Sequence, residues 1–417
     1  MRTLQLDTGL HRTDCPNGLV VLTERLPGVR SVATGTWFRS ASGHETPDVM
    51  GVSHLLEHMV FKGTARRSAR EIALALESRG GALDAFTSRD HTAYQAHVLD
   101  ADLPLALDVL TDLVRHPLLR DSDLALERNV VLEEINGVAD TPDDLVHELF
   151  GQALYPGHPY GWPILGTAET VAALSAADLA ATHARGYYPG NAVIAAAGNI
   201  AHDDFLAQLD RLGWLSGEPA APMDPVHPTE AARGVRLDES RDLQQVHVVM
   251  GTDTFGAADP RRWPMALLSA TLGAGMSSRL FQRVREEQGL CYAIYCWHAM
   301  YRSGGNFAVY VGTQPGTADA AIATIEAELA RVAREGLPAD DLADAKGQLK
   351  GTIMLALEGT TARMSRLASH ALMQEPYKPL DEILRLIDAV TTEETAAVAA
   401  AFLSPERMTT VRLGPTR

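Results

Sequence analysis

Along the stretch GVSHLLEHMVFKG the apolar residues Val52, Leu55, Leu56, Met59 and Val60 recur at steps of three and four, the stripe of an amphipathic helix with one face turned to a core. Gly63, just past Lys62, is placed to end that helix in a left-handed cap. A second helix is predicted around ERNVVLEEI, where Leu124, Val131, Ile135 and Val138 keep a helical period. Strand-like alternation marks SVATGTWF and VHVVMGTDTF. Each runs through a polar, Gly-containing turn into a helix, near Val49 in the first case and near Met265 in the second. Aligned helix on helix, His54-Leu-Leu-Glu57-His58 falls opposite Ala266-Leu-Leu-Ser269-Ala270, which points to a duplication whose second copy lacks the polar residues of the first.

Other boundaries are marked by capping and turn residues. Thr141-Pro142 opens a helix with a hydroxyl cap and Pro at its first position, and Ser175 with Asp178 has the spacing of a capping box. Between them Tyr155-Pro-Gly-His-Pro-Tyr-Gly-Trp-Pro163 excludes regular structure and reads as an aromatic loop over the surface of the first half. Gly217 to Arg233, GEPAAPMDPVHPTEAAR, has no apolar period and reads as a linker. The expected organisation is an N-terminal domain over 1–216, a linker over 217–233 and a C-terminal domain over 234–417. Both domains mix strands and helices, so the fold class is α+β, each half a mixed or antiparallel sheet backed by helices on one side.

Composition narrows the possible partners. A chain of 417 residues, 46% hydrophobic and 21% charged, folds into more than one globular core. With 53 acidic against 36 basic side chains the net charge is −17, which disfavours nucleic acid and anionic membrane surfaces. The first thirty residues carry no apolar run behind a basic start, so no secretory signal is expected. Cys15, Cys291 and Cys296 are too few for a disulfide framework and suit a reducing, cytoplasmic location.

The polar face of the first helix carries the chemistry. His54, Glu57 and His58 project together, because residues three or four apart are helix neighbours. Two imidazoles at that spacing can both reach one Zn²⁺, leaving the intervening carboxylate beside the ion to act on its water. The order H-x-x-E-H inverts the commoner H-E-x-x-H. A catalytic zinc needs a third protein ligand and an open position. Glu127 and Glu134, two turns apart on one face of the second helix, are the candidates, one to ligate and the other to support. Glu133 reads as a charged neighbour. His91, His97, His116, His147 and His158 have no ligand spacing and read as surface or loop residues, and the charge run Arg283 to Glu287 as a solvated helix face.

HLLEHMVFKGT followed by ERNVVLEEI resembles the pitrilysin-type (inverzincin) metallopeptidases, within them the branch of the mitochondrial processing peptidase β subunit and its bacterial relatives. The resemblance implies one zinc per chain held by His54, His58 and the later acidic residue, Glu134, with Glu127 supporting catalysis and Glu57 as the base. GGALDAFTSRDHTAY is similar to the segment whose strand offers an open edge to substrate, although Asp84 stands where Asn is usual. HPYGWPILGT also looks like a family loop. GAGMSSRLFQRVREEQGLCYAIY resembles the segment that donates an Arg and a Tyr to the cleft, here Arg285 and Tyr292. Taken alone, those two would read as a surface-helix arginine and a strand aromatic. The glycine-rich loop of the non-catalytic α partner is absent, which favours the catalytic branch. The family further implies two halves closing like a clamshell on peptides or unfolded polypeptide inside an enclosed cavity, and a homodimer. The alternative from another class is a structural, partner-binding subunit without chemistry.

Overall fold

The alternating apolar segments become two mixed sheets in the computed structural model, which describes residues 1–415. From the N-terminus the chain forms β1 (Arg2–Asp7), β2 (Leu10–Asp14), β3 (Val20–Arg25), β4 (Ser31–Phe38), α1 (Val52–Val60), α2 (Ala69–Glu77), β5 (Ala82–Thr87), β6 (Thr92–Leu99), α3 (Leu103–Arg115) and α4 (Asp121–Asp140). It continues through α5 (Pro142–Leu154), α6 (Ala168–Ala173), α7 (Ala176–Gly186), β7 (Ala192–Gly198) and α8 (His202–Arg211). The remainder forms β8 (Arg236–Ser240), β9 (Val246–Thr254), α9 (Arg262–Gly273), β10 (Cys291–Met300), β11 (Gly305–Thr313), α10 (Ala318–Glu335), α11 (Ala339–Ala356), α12 (Thr360–Leu372), α13 (Leu380–Ala389), α14 (Thr392–Phe402) and β12 (Thr409–Gly414). Among the described residues no helix is long and apolar enough to cross a membrane.

Two compact units result. Unit 1 comprises Met1–Ile135, Ile164–Val226 and Ala356–Tyr377, and unit 2 comprises Asn136–Pro163, His227–Leu355 and the chain from Lys378 onward. These are not the contiguous domains 1–216 and 234–417 expected from the sequence, because each unit takes a helix from the other's stretch: α12 joins unit 1 and α5 joins unit 2. The physical reason is that both sheets are apolar on both faces. In β7, AVIAAAG is buried at every position, a continuous apolar run that needs cover on two sides. One face packs on α1, α3, α7 and α8 through Leu55, Leu56, Leu110, Leu179 and Phe205. The other presents Leu22, Ala33, Val193, Ala195 and Ala197 to Met364, Leu367 and Ala371 of α12. Helices on one side alone would leave that second face in water.

The sheet of unit 1 has the order β1-β2-β3-β7-β4-β6-β5 and that of unit 2 the order β10-β11-β9-β12-β8. In unit 1 the β3–β7 pair is parallel, and the pairs β7–β4, β4–β6 and β6–β5 are antiparallel. Unit 2 repeats this with β8–β12 parallel and β12–β9, β9–β11 and β11–β10 antiparallel. Five strands thus share order and direction, as a duplication requires. Against the sheet of unit 2 pack Met265, Leu268 and Leu272 of α9 with Ile325 and Leu329 of α10, and α5 lies on β9 and β12. Phe150 of α5 approaches Gly251 of β9 so closely that a Cβ there would lie 2.6 Å from its ring.

Local expectations fared unevenly. The Ser175–Asp178 capping box forms in full. Pro142 does start α5, but the Thr141 hydroxyl donates to the Gly137 carbonyl of the preceding helix, at 2.8 Å, and caps nothing. The aromatic loop 155–163 belongs to unit 2, where the buried Tyr155 hydroxyl donates to the Gly305 carbonyl and the Tyr160 ring lies tilted against Tyr301, 4.6 Å between centres. Residues 217–233 carry no helix or strand, yet they are pinned in place. The Met223 N–H donates to Asn191 at 3.0 Å in unit 1, and the Ala232 N–H to Leu154 at 2.8 Å in unit 2.

Candidate metal centre

Helix α1 buries Val52, Leu55, Leu56, Met59 and Val60 against the sheet, which leaves His54, Glu57 and His58 half-buried on the opposite side. It ends at Val60 with Phe61 as its C-cap, so Gly63 does not terminate it as expected; Gly63 bridges to Ser68 at φ 129° instead. Helix α4 anchors Leu124 and Val131 in the same core and turns Glu127 and Glu134 toward α1.

The two helices bring three ligand atoms together. Donor atoms of His54, His58 and Glu134 lie within 4.8 Å of one another. Nε2 of His54 is 3.7 Å from Oε2 of Glu134, and Nε2 of His58 is 3.8 Å from Oε1. Those separations are too long for hydrogen bonds and close to the ~3.4 Å between ligand atoms each ~2.1 Å from a tetrahedral ion. The donor set therefore fits a metal: two nitrogens and a carboxylate facing one point without bonding one another. Burial, then the neighbouring His58, pushes the His54 pKa down to about 4, so its ring is neutral at pH 7, the form that ligates.

Glu127 is not part of this triangle. Its Oε1 lies 3.0 Å from Nδ1 of His58 and its Oε2 pairs with the Lys62 ammonium. Glu127 accepts the Nδ1–H proton, which fixes the tautomer and leaves Nε2 of His58 with its lone pair toward Glu134. Of the two glutamates, equivalent by spacing alone, Glu134 shares the donor cluster with both histidines and Glu127 bonds the far nitrogen of His58.

Glu57 stands apart from the three donors. Its Oε2 accepts a hydrogen bond from the Thr87 hydroxyl. Burial raises its pKa above the usual carboxylate range, and the Thr87 bond opposes that shift. Thr87 ends β5, which among the described residues pairs only with β6 and is the edge of its sheet. Asp84 is exposed on this strand and accepts from Gln95 at 3.2 Å.

In unit 2, Arg285 and Tyr292 meet each other. The Arg285 guanidinium lies 5.0 Å from the centre of the Tyr292 ring, within cation–π range. Both sit on irregular backbone. Arg285 is on a π-helical turn, Phe281–Glu287. Tyr292 is the extra residue where the β10–β11 register shifts between Cys291 and Ala293, a bulge of the kind that re-aims a side chain, and it is 77% exposed.

Three partners escaped the sequence reading. Lys62 had a usable signal, since it follows His58 by one helical turn on the same face. Thr87 and Glu45, whose carboxylate accepts N–H groups at the start of α1, gave none.

Comparison with known proteins identifies the family. Residues 20–168 match the family model described as insulinase, peptidase family M16, and residues 173–349 the model described as the M16 inactive domain. The second description accords with a second copy lacking the His-Glu-His set. A protein of Streptomyces coelicolor named an uncharacterized zinc protease is 38% identical, with 100% of this chain and 93% of that protein aligned. The uncharacterized zinc protease YmxG of Bacillus subtilis is 39% identical over 95% of this chain and 96% of its own. Among solved structures, a Pseudomonas fluorescens protein titled as a peptidase M16 inactive domain superposes with a TM-score of 0.91 at 22% identity, covering 98% of both chains. A Helicobacter pylori protease reaches the same TM-score of 0.91 at 21% identity, over 97% of this chain and 99% of its own. With family models covering most of its length and relatives near 40% identity end to end, the chain belongs to the M16 peptidase family.

Proposed function

We propose that this chain is a zinc-dependent endopeptidase that hydrolyses peptides or unfolded polypeptide segments. The observation that carries the reading is the convergence of His54, His58 and Glu134 donor atoms within 4.8 Å, with Glu57 on the same helix as the two histidines and not needed as a ligand. Relatives named zinc proteases give the metal its identity. His54, His58 and Glu134 would hold one zinc ion per chain, which when bound polarises the scissile carbonyl and acidifies the attacking water. Glu57 accepts a proton from that water and returns it to the leaving amine. Thr87 orients the Glu57 carboxylate from the strand on which substrate is held. An extended substrate would add to the free edge of β5 through main-chain hydrogen bonds, which selects unfolded segments over folded ones.

By the family resemblance Tyr292 and Arg285 contact the substrate, the phenol donating to the developing oxyanion and the guanidinium holding backbone carbonyls. Tyr292→Phe is expected to lower kcat by about 100-fold, the loss typical of one oxyanion donor, with KM little changed. An unaltered kcat would remove Tyr292 from the chemistry. Glu127→Ala is expected to weaken zinc binding by roughly 10- to 100-fold, read by chelator competition. Unchanged affinity would leave Glu127 with a packing role only. The proposal also includes a cytoplasmic homodimer that takes its substrate into an enclosed cavity.

The deciding experiment pairs zinc analysis of the purified chain with a quenched-peptide assay before and after chelation and zinc restoration. Zinc-dependent cleavage is the expected result. A zinc-loaded chain that cleaves nothing would instead be a non-catalytic, partner-binding subunit.

A further inference from the structure

The helix that carries His54, Glu57 and His58 has no cap of its own. Its N-cap is Gly51, at φ 90° and without a side-chain hydrogen bond. A Cβ at Gly51 would lie 2.5 Å from the Leu165 carbonyl oxygen, so a capping Ser or Asp has no room there. The N–H groups at its start, which have no partner within the helix, are met from outside it. Glu45 Oε2 accepts from Gly51 N and Oε1 from Ser53 N, each at 2.8 Å. Glu45 is 5% exposed, and a carboxylate so buried is costly unless it is well bonded. Burial pushes its pKa up to about 7, against the pull of those two N–H groups.

Glu45 also ties α1 to a second element of the centre. It follows the turn Ser42–His44, in which the Gly43 N–H donates to the Arg89 carbonyl at 2.9 Å and the Ser42 hydroxyl to the Ser88 carbonyl at 3.0 Å. Residues 88–91 are the tip of the β5–β6 hairpin, directly after Thr87, whose hydroxyl holds Glu57. The turn that holds the hairpin thus leads directly into Glu45, whose carboxylate holds the start of α1, and the two together link α1 to the hairpin that orients the carboxylate of Glu57.

We propose that Glu45 is a positioning residue of the metal centre, fixing the N-terminal end of α1 so that His54 and His58 meet Glu134 while Glu57 meets Thr87. A favourable anion–helix-dipole contact at that end adds to the anchoring. The inference rests on the reading of His54, His58 and Glu134 as zinc ligands.

The test compares the wild-type chain with Glu45→Ala, the isosteric Glu45→Gln, and Leu209→Ala, a core change on α8. Zinc affinity by chelator competition, the d–d spectrum of the Co²⁺-substituted protein, kcat and KM are measured for each. Both Glu45 variants are expected to lose zinc affinity by roughly tenfold or more, to alter the Co²⁺ spectrum, and to lower kcat more than they raise KM. Leu209→Ala is expected to lower the melting temperature while leaving the affinity and spectrum those of wild type. Should Glu45→Ala fail to fold, Glu45→Gln, which keeps the shape but offers one acceptor fewer, decides alone. Glu45 variants that bind zinc within about twofold of wild type, with its Co²⁺ spectrum, would overturn the proposal, since an anchoring partner costs more than that. A wild-type chain that takes up no zinc would overturn the metal reading beneath it, a result distinct from equal binding by all variants.

Discussion

Glu57→Gln is expected to keep its zinc and to lose kcat by about 10²- to 10⁴-fold, the range a positioned proton-transfer group supplies. Glutamine has the shape of glutamate, and its amide oxygen can still accept the Thr87 hydroxyl. The side chain stays in place but can no longer take a proton from water. His54, His58 and Glu134 are untouched, so metal content is preserved. KM should move little, because in the proposed binding mode the substrate strand would dock on the β5 backbone rather than on this carboxylate. The measurement is steady-state cleavage of a quenched peptide by variant protein of verified zinc stoichiometry. Normal turnover would assign the base elsewhere, whereas loss of zinc together with activity would place Glu57 among the ligands.

The residues that were legible in the sequence are those whose roles follow from helical spacing. Val52, Leu55, Leu56, Met59 and Val60 showed which side of α1 faces the core, and His54, Glu57 and His58 had to lie on the other. Thr87 and Glu45 were illegible for the opposite reason. Each reaches α1 from another part of the chain, and no local period encodes such a contact. Between Glu127 and Glu134 spacing was silent, because two residues on one helix face satisfy it equally; the Lys62 ammonium and the His58 ring separate them in space. The contiguous domain boundaries failed because the sequence was read for breaks and not for faces. AVIAAAG in β7 carried the missed signal, a strand with no polar side that demands helices on both. The backbone devices under Arg285 and Tyr292, a π turn and a bulge, follow from neither periodicity nor propensity.

Glu134→Ala is expected to weaken zinc binding by at least about 100-fold and to abolish activity. A zinc site of four ligands binds with roughly 10–16 kcal/mol, so one ligand carries about 3 kcal/mol, or about 100-fold in affinity. The geometry makes that a lower bound for this centre. The two histidines come from one helix, and Glu134 is the one donor of the set that α4 contributes. Without it the ion would keep only the two imidazoles of α1, and a metal held by two ligands exchanges readily with solvent. The same change shows in stability. Free zinc at a thousand times its dissociation constant adds about 4 kcal/mol to a folded chain that binds it, so wild type should melt several degrees higher with zinc than with chelator, while Glu134→Ala, bound at least about 100-fold more weakly, should show at most about a third of that shift. Glu133→Ala, an exposed neighbour on the same helix, is the matched control and should retain both the zinc and the melting shift. If Glu134→Ala held zinc as tightly as Glu133→Ala, the third ligand would have to come from another part of the chain, and the 3.7 and 3.8 Å approaches of Glu134 to the two rings would be ordinary electrostatic contacts.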